Sequence, residues 1–282
     1  MKSCLKKRHL FTGLFCILFL NVYAAPRELL VNPEKPESWL GKVEPAPQYE
    51  RGKGPCFVLY GGYPTVFRYK TLIPVDAAKT YTYKVTMRTL DPALPASGYL
   101  GFYLYDKNKR SIRYCEVLPL ANSKSQVVSA RKGDKFLMIK KFDNFERFKT
   151  FVVAFHAKDD FSDIPNSDVS PAISKVLDNG DGTLRIELKK PLTKDYPAGT
   201  VTRFHSPYTV PMYYLASGWM PVEGKECVAK MQGVSDKPGI PSVKFWKGTK
   251  YVQPMIWFGN WNRIPKKGAK LLVDGISFTV SE

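Results

Sequence analysis

The stretch KTYTYKVTMRTL, residues 79–90, alternates apolar and polar side chains along almost its whole length. Successive side chains of a β-strand point to opposite faces of a sheet, so this period of two predicts a half-buried strand. The apolar face would consist of Tyr81, Tyr83, Val85 and Met87, opposite a polar face of Thr82, Lys84, Thr86 and Arg88. We expect the apolar face to pack into a core.

The same alternation recurs along the chain between breaks at Gly, Pro, Asn and Asp. It is present in GYLGFYLYD (98–106), FLMIKKF (136–142), TFVVAFHA (150–157), TLRIELKK (183–190) and TVTRFHS (200–206). No long stretch carries apolar residues at helical spacing. The sequence therefore predicts an all-β protein.

Two further strands have faces that differ in chemistry. Residues 98–106 place Leu100, Phe102 and Leu104 opposite Tyr99, Tyr103 and Tyr105. Residues 251–258 place Val252, Ile256 and Phe258 opposite Gln253, Met255 and Trp257. We expect the tyrosine face and the Gln253 face to lie outside the core.

The first 24 residues have the pattern of a secretory signal peptide. A basic segment with Lys2, Lys6, Lys7 and Arg8 precedes the apolar run LFTGLFCILFL (10–20). A cleavage-site pattern that ends in the small residue Ala24 follows this run. This order predicts cleavage after Ala24 and export to the periplasm or the extracellular space. The apolar run is short for a membrane span, so no transmembrane anchor is expected.

The charge of the mature chain favours anionic partners. Removal of the leader from the 282 residues leaves 258 and lowers the net charge from +18 to +14. Acidic polysaccharide, an anionic envelope surface and nucleic acid are all compatible with this balance, and export argues against nucleic acid.

Three cysteines remain after cleavage: Cys56, Cys115 and Cys227. They allow at most one intramolecular disulfide, whose pairing the sequence leaves open. Their spacing matches no zinc motif, so we expect small semi-buried side chains.

Residues 118–212 differ from the flanking chain. They contain the acidic loop AKDDFSDIPNSDVSP (157–171) and the turn DNGDGT (178–183). We interpret this segment as a β-rich insertion, with the strands before and after it forming one sandwich.

Three pieces of the chain resemble a known family. They are RELLVNPEKPESWLGK (27–42), IPVDAAKTYTYKVTMRT (73–89) and AKLLVDGISFTV (269–280). In this order they resemble the galactose-binding-like carbohydrate-binding modules of secreted bacterial proteins. The resemblance implies a jelly-roll β-sandwich formed by about 27–117 and 213–282.

The resemblance also implies a structural calcium ion. Asp274 lies in an otherwise apolar terminal strand, where an uncompensated carboxylate would be costly. In the resembled family an acid of the last strand helps to hold calcium together with oxygens from the N-terminal leader. The corresponding ligands would be Asp274 with Glu28 or Glu34. Alternatively, Asp274 accepts backbone N–H hydrogen bonds or faces Lys270.

The outer faces of the predicted strands combine aromatic, amide and cationic side chains, the mixture that sugar recognition requires. The candidate ligand-binding residues are Arg68, Lys84, Arg88, Tyr99, Tyr103, Gln253 and Trp257. The alternative is that these aromatics pack under the insertion. Trp219 and Trp261 are weaker candidates.

Catalysis has less support in the sequence. His156 and His205, with Asp159 or Asp160, would suit metal binding or proton transfer, but nothing in their spacing shows that they meet. The sequence thus favours a secreted, non-catalytic protein that binds polysaccharide, acidic polysaccharide included. The alternatives are a polysaccharide lyase or hydrolase and a basic envelope or adhesive protein.

Overall fold

The computed structural model describes residues 25–45, 57–147, 150–259 and 264–282. Three features of the sequence analysis lie outside these ranges: the leader, Cys56 and Trp261.

The chain is nearly all β, which confirms the predicted class. The strands are β1 Arg27–Glu28, β2 Trp39–Leu40, β3 Glu44–Pro45, β4 Phe57–Tyr60, β5 Thr65–Tyr69, β6 Ile73–Pro74, β7 Thr80–Thr89, β8 Ala96–Tyr105, β9 Pro119–Ser129, β10 Phe136–Lys140, β11 Val152–Phe155, β12 Ile173–Asp178, β13 Thr183–Leu188, β14 Val201–His205, β15 Met212–Met220, β16 Lys225–Gln232, β17 Tyr251–Phe258 and β18 Lys270–Ser281. The helical elements described are α1, Tyr114–Val117, and two 3-10 turns, Pro36–Ser38 and Phe145–Arg147. None of the described helices is long or apolar enough to cross a membrane.

The described strands form three antiparallel sheets of six strands each. Sheet A has the order β16-β7-β18-β4-β3, with β1 also paired to β18. Sheet B has the order β15-β8-β17-β5-β2, with β6 also paired to β17. Sheet C has the order β11-β14-β9-β10-β13-β12.

Sheets A and B pack face to face and enclose one core. The ring of Tyr83 on β7 lies 5.4 Å from that of Phe102 on β8, and Phe102 lies 5.2 Å from Phe278 on β18. These rings are fully buried and belong to one apolar cluster fed by both sheets. The two sheets therefore form a β-sandwich, whose outer faces point in opposite directions.

The predicted inner face of β7 is confirmed. Tyr81, Tyr83, Val85 and Met87 are at most 2% exposed, and the residues between them are partly exposed. Burial of an aromatic or branched side chain stabilises the fold by about 1.5–3 kcal/mol, so this face contributes strongly to sandwich stability.

Strands that are distant in sequence pair with each other in both sheets of the sandwich. β18, the last strand, lies between β7 and β4, and β17 lies between β8 and β5. The sandwich is thus assembled from the two ends of the described chain, while β9 to β14 form sheet C and enclose a separate apolar cluster around Leu137, Ile139, Phe155 and Phe204.

A bulge in β15 shapes the edge of sheet B. The register with β8 shifts between Tyr214 and Ala216, opposite Gly101 and Leu100. A Cβ atom added to Gly101 would overlap the carbonyl oxygen of Tyr213 and lie 2.6 Å from the Cα atom of Tyr214. Glycine at 101 is therefore what lets the bulged strand approach β8.

We expect Gly101→Ala to lower the free energy of unfolding by about 1–3 kcal/mol, the usual cost of overpacking, because backbone atoms of β15 must move. Gly98→Ala in the same strand is the matched control, because its added Cβ meets the flexible side chain of Met87, with Sδ at 2.7 Å. Urea unfolding of both variants measures the difference. An equal loss in the two variants would contradict this role of Gly101.

Candidate functional site

The outer face of sheet B carries rows of side chains that the strand register brings side by side. Tyr99 of β8 is opposite Trp257 of β17, and Tyr103 is opposite Gln253. Tyr105 is opposite Tyr251 at the end of the same strands. Directly opposite residues share a face, so these side chains form one surface.

Three aromatic rings form a cluster at the centre of this surface. The ring centroids of Tyr99 and Trp257 are 5.4 Å apart, and the ring of Tyr214 lies 5.9 Å from each of them. Tyr99 is buried at 5% exposure and forms the floor, whereas Tyr214 is 50% exposed. We call Tyr99, Tyr214 and Trp257 the aromatic cluster.

Polar groups continue the surface along the strands. The guanidinium of Arg68 lies over the ring of Tyr103, 4.9 Å from its centroid, and the Tyr105 hydroxyl donates to Oε1 of Gln253 at 2.7 Å. Burial raises the pKa of Tyr103 and the charge of Arg68 opposes that shift. These contacts hold a cation, an amide and two phenol groups in fixed positions beside the aromatic cluster.

Five of the seven predicted ligand-binding residues therefore lie together. They are Arg68, Tyr99, Tyr103, Gln253 and Trp257, all on the outer face of sheet B.

The other two, Lys84 and Arg88, do not join them. Both lie on β7 of sheet A and point to its outer face. The five clustered residues lie on the other side of the sandwich, on the outer face of sheet B. Lys84 lies 3.9 Å from Glu226 of the neighbouring strand. The alternation along β7 identified their face correctly, but not the sheet to which the strand belongs.

Tyr214 and Trp219 extend the surface beyond the predicted set. Trp219 is opposite Ser97 on β8, on the same outer face, and its side chain is 53% exposed. Tyr214 was not selected from the sequence because its face depends on the bulge in β15, which leaves no period-two pattern across 212–220.

The proposed calcium ligands are separated along sheet A. Asp274 is opposite Thr86, whereas Glu28 is opposite Thr279, which in turn is opposite Thr82. Four residues along β7 correspond to about 13 Å. Ligands of one calcium ion lie within about 2.6 Å of it, so Asp274 and Glu28 do not converge on a common ion.

Glu28 already has other partners. Its Oε1 accepts hydrogen bonds from the backbone N–H groups of Leu29, Leu30 and Phe278, at 2.9–3.0 Å. Glu34 lies in the turn before the first 3-10 helix. The described residues contain no group of three or more His, Cys, Asp or Glu side chains able to hold a metal ion.

Asp274 is 7% exposed and sits at a bulge in β18 on the outer face of sheet A. The residue after it, Gly275, has φ 57°, a left-handed conformation that glycine adopts without strain. The carboxylate is therefore held outside the sandwich core rather than among its apolar side chains.

Cys115 and Cys227 are both buried free thiols. Burial raises the pKa of Cys115 to about 11 and also raises the pKa of Cys227. Both thiols therefore remain protonated near neutral pH and are poor nucleophiles.

His205 belongs to a buried polar network. Its Nε2 accepts from Nε of Arg203 at 3.1 Å, and an arginine nitrogen can only donate. The hydrogen of the neutral ring is therefore on Nδ1, which donates to the carbonyl oxygen of Cys115 at 2.7 Å. Arg203 also pairs with Asp163 at 2.8 Å, so its charge is compensated.

The possible catalytic set is not assembled. His205 is fully buried, whereas His156 is exposed and lies 3.7 Å from Asp168. Asp159 forms an exposed ion pair with Lys124 at 2.7 Å. The two histidines therefore have different partners and different environments.

Comparison with known proteins identifies no relative. The chain matches no family model, no curated protein and no solved structure.

Burial lowers the pKa of His205 to about 4, below the value of about 6.5 in an unfolded chain. Between these values the unfolded chain binds a proton that the native state does not. The free energy of unfolding should therefore decrease as the pH falls from about 6.5 to about 4, by about 3 kcal/mol from this residue.

Urea unfolding at pH 7 and pH 4 tests this expectation in wild type and His205→Gln. The variant should lose about 3 kcal/mol less than wild type on acidification. His156→Gln, which replaces an exposed histidine, is the matched control. Parallel pH profiles for wild type and His205→Gln would contradict the assignment.

Proposed function

We propose that this protein is a secreted, non-catalytic carbohydrate-binding protein that takes polysaccharide on the outer face of sheet B. We also propose that sheets A and B form a galactose-binding-like jelly roll, with residues of about 118–212 as its β-rich insertion. The two-sheet sandwich and the location of β9 to β14 between the two halves of its chain support this division.

The observation that carries the proposal is the aromatic cluster beside a fixed cation and amide. Sugar rings present apolar C–H faces, which pack on aromatic rings, and hydroxyl groups, which need directional partners. Tyr214 and Trp257 offer ring surface and Arg68 offers donors, while the buried Gln253 amide fixes the Tyr105 hydroxyl beside them. This combination suits a sugar better than it suits a purely apolar partner.

The dimensions of the surface favour a chain of sugars over a single sugar. From Ser97, opposite Trp219, to Tyr105, opposite Tyr251, the outer face follows β8 for eight residues. At about 3.3 Å per residue this length is about 26 Å. Aromatic side chains are distributed along it, so several consecutive units would find contacts.

Charge favours an acidic glycan. Arg68 forms no ion pair with a described carboxylate, and its planar guanidinium can donate two parallel hydrogen bonds to a carboxylate or sulfate group. The net charge of +14 expected for the mature chain would further attract an anionic polymer.

We expect Trp257→Ala and Tyr214→Ala to weaken retention on the bound polysaccharide at least tenfold, about 1.4 kcal/mol each, while the melting temperature changes little. Both rings lie outside the sandwich core. Tyr60→Ala is the matched control, since Tyr60 is a partly exposed tyrosine on sheet A. Affinity electrophoresis in neutral, uronic and sulfated polysaccharides gives the comparison.

Normal retention of both variants would overturn the assignment of the face. Retention that disappears at about 0.15 M salt and ignores the aromatic substitutions would indicate a basic envelope protein, because exposed charges are screened within about 8 Å. Release of reducing ends or unsaturated products would instead indicate a hydrolase or lyase.

A structural calcium ion held by Asp274 without Glu28 is a further proposal, supported by the family resemblance and by the burial of this carboxylate. Bound calcium would raise the melting temperature, by a stability gain of about 2.7 kcal/mol at 100 times the Kd. Thermal unfolding with calcium and with chelator should therefore differ for wild type and coincide for Asp274→Asn. Coincident curves for wild type would remove calcium from the proposal.

A further inference from the structure

A second possible binding site lies at one end of the sandwich, away from the aromatic cluster. A cavity of about 520 Å³ opens between β1, the end of β18 and the turn between β6 and β7. Small-molecule sites usually have volumes of about 300–1,000 Å³, so this cavity is large enough for a monosaccharide-sized ligand.

Three cations line this cavity: Arg27, Lys79 and Lys250. Lys79 pairs with Glu282 at 2.9 Å, which compensates one of the charges. Among the described residues no carboxylate forms an ion pair with Arg27 or Lys250. Two cations of the cavity wall thus remain available to an anionic ligand.

The acid of the cavity offers little competition. Oδ1 of Asp76 accepts a hydrogen bond from the backbone N–H of Ala78 at 2.9 Å, so this carboxylate caps its own turn. Its charge still leaves the cavity wall positive, because Arg27 and Lys250 face this one carboxylate while Lys79 is compensated by Glu282. The local balance agrees in sign with that of the whole chain.

A neutral hydrogen-bond donor reaches the same cavity. Tyr81 is 2% exposed, and its ring packs between Phe245 and Phe278 in the core. Its hydroxyl oxygen accepts from the backbone N–H of Asp76 at 2.6 Å, so the hydroxyl hydrogen remains to donate. Burial raises the pKa of Tyr81, which keeps this hydrogen in place at neutral pH.

Apolar side chains complete the wall. Leu29, Val75 and Val280 line the cavity together with the cations. A ligand that fits this lining has a compact body with apolar C–H surface and one anionic group. Arginine binds a carboxylate through two parallel hydrogen bonds, and the Tyr81 hydroxyl would add a neutral donor.

We propose that this cavity binds a small organic carboxylate of monosaccharide size, held by Arg27, Lys250 and Tyr81. This site adjoins the Tyr251 end of the polysaccharide face but is lined by other residues, so its binding is argued independently. The carboxylate belongs either to a free acid or to the terminal unit of an acidic oligosaccharide, which present the same chemistry.

Isothermal titration calorimetry of the full mature protein with D-galacturonate tests the proposal, with D-galactose as the neutral probe. We expect saturable binding of galacturonate, at least tenfold weaker binding of galactose, and at least tenfold weaker galacturonate binding in Arg27→Ala and Lys250→Ala. Lys175→Ala is the control for charge alone, since Lys175 is an exposed lysine on β12. It should bind galacturonate as wild type does.

An absence of galacturonate binding to the wild type would overturn the proposal, as would equal weakening by Lys175→Ala. Titration with a saturated digalacturonide distinguishes the sources, since weaker binding than the monomer indicates a free acid. Trp257→Ala should bind galacturonate normally, whereas Arg27→Ala should retain polysaccharide normally. The two proposals therefore fail separately.

Discussion

The sandwich depends on the pairing of strands from opposite ends of the chain. β18 lies between β7 and β4, so sheet A is continuous only when the last strand is in place. The central rings confirm the same constraint, because Tyr83, Phe102 and Phe278 come from β7, β8 and β18. Such non-local contacts require the entropy of a long loop to be lost before the core forms, which favours slow folding.

The chain segment around α1, which connects the sandwich to sheet C, is held by buried polar contacts. Glu116 in α1 is fully buried and accepts from Arg110 and Arg113, each at 2.7 Å. One residue earlier, the carbonyl of Cys115 accepts from His205 at the end of β14. The strand that enters sheet C and the strand that leaves it are thus joined at α1.

These contacts are a source of geometric specificity more than of net stability. Removing a carboxylate from water costs several kcal/mol, and the two arginines recover that cost only in this arrangement. Loss of one partner would leave a buried charge uncompensated. The neutral His205 ring does not incur that cost. Its Nε2 accepts from Arg203 and its Nδ1 donates to the carbonyl of Cys115.

Local patterning was sufficient to predict the class of the protein and the faces of its long strands. Tyr83 and Phe102 are in the core, and Tyr99 and Trp257 lie on one outer face, because a strict period of two leaves no other arrangement. The pairing partner of each strand could not be predicted. The alternation around Lys84 would be the same whichever sheet its strand joined. Tyr214 was missed because a single extra residue in β15 reverses the pattern.

The two outer faces of the sandwich differ in a way that folding alone does not explain. The β7 row of sheet A presents Thr82, Lys84 and Thr86, which suit a solvated surface. Sheet B instead presents Tyr214 and Trp219, each at least half exposed. Sheet A also has an exposed ring, that of Tyr60 at 39% exposure, but the larger exposed rings of sheet B are the feature on which the proposed binding face rests.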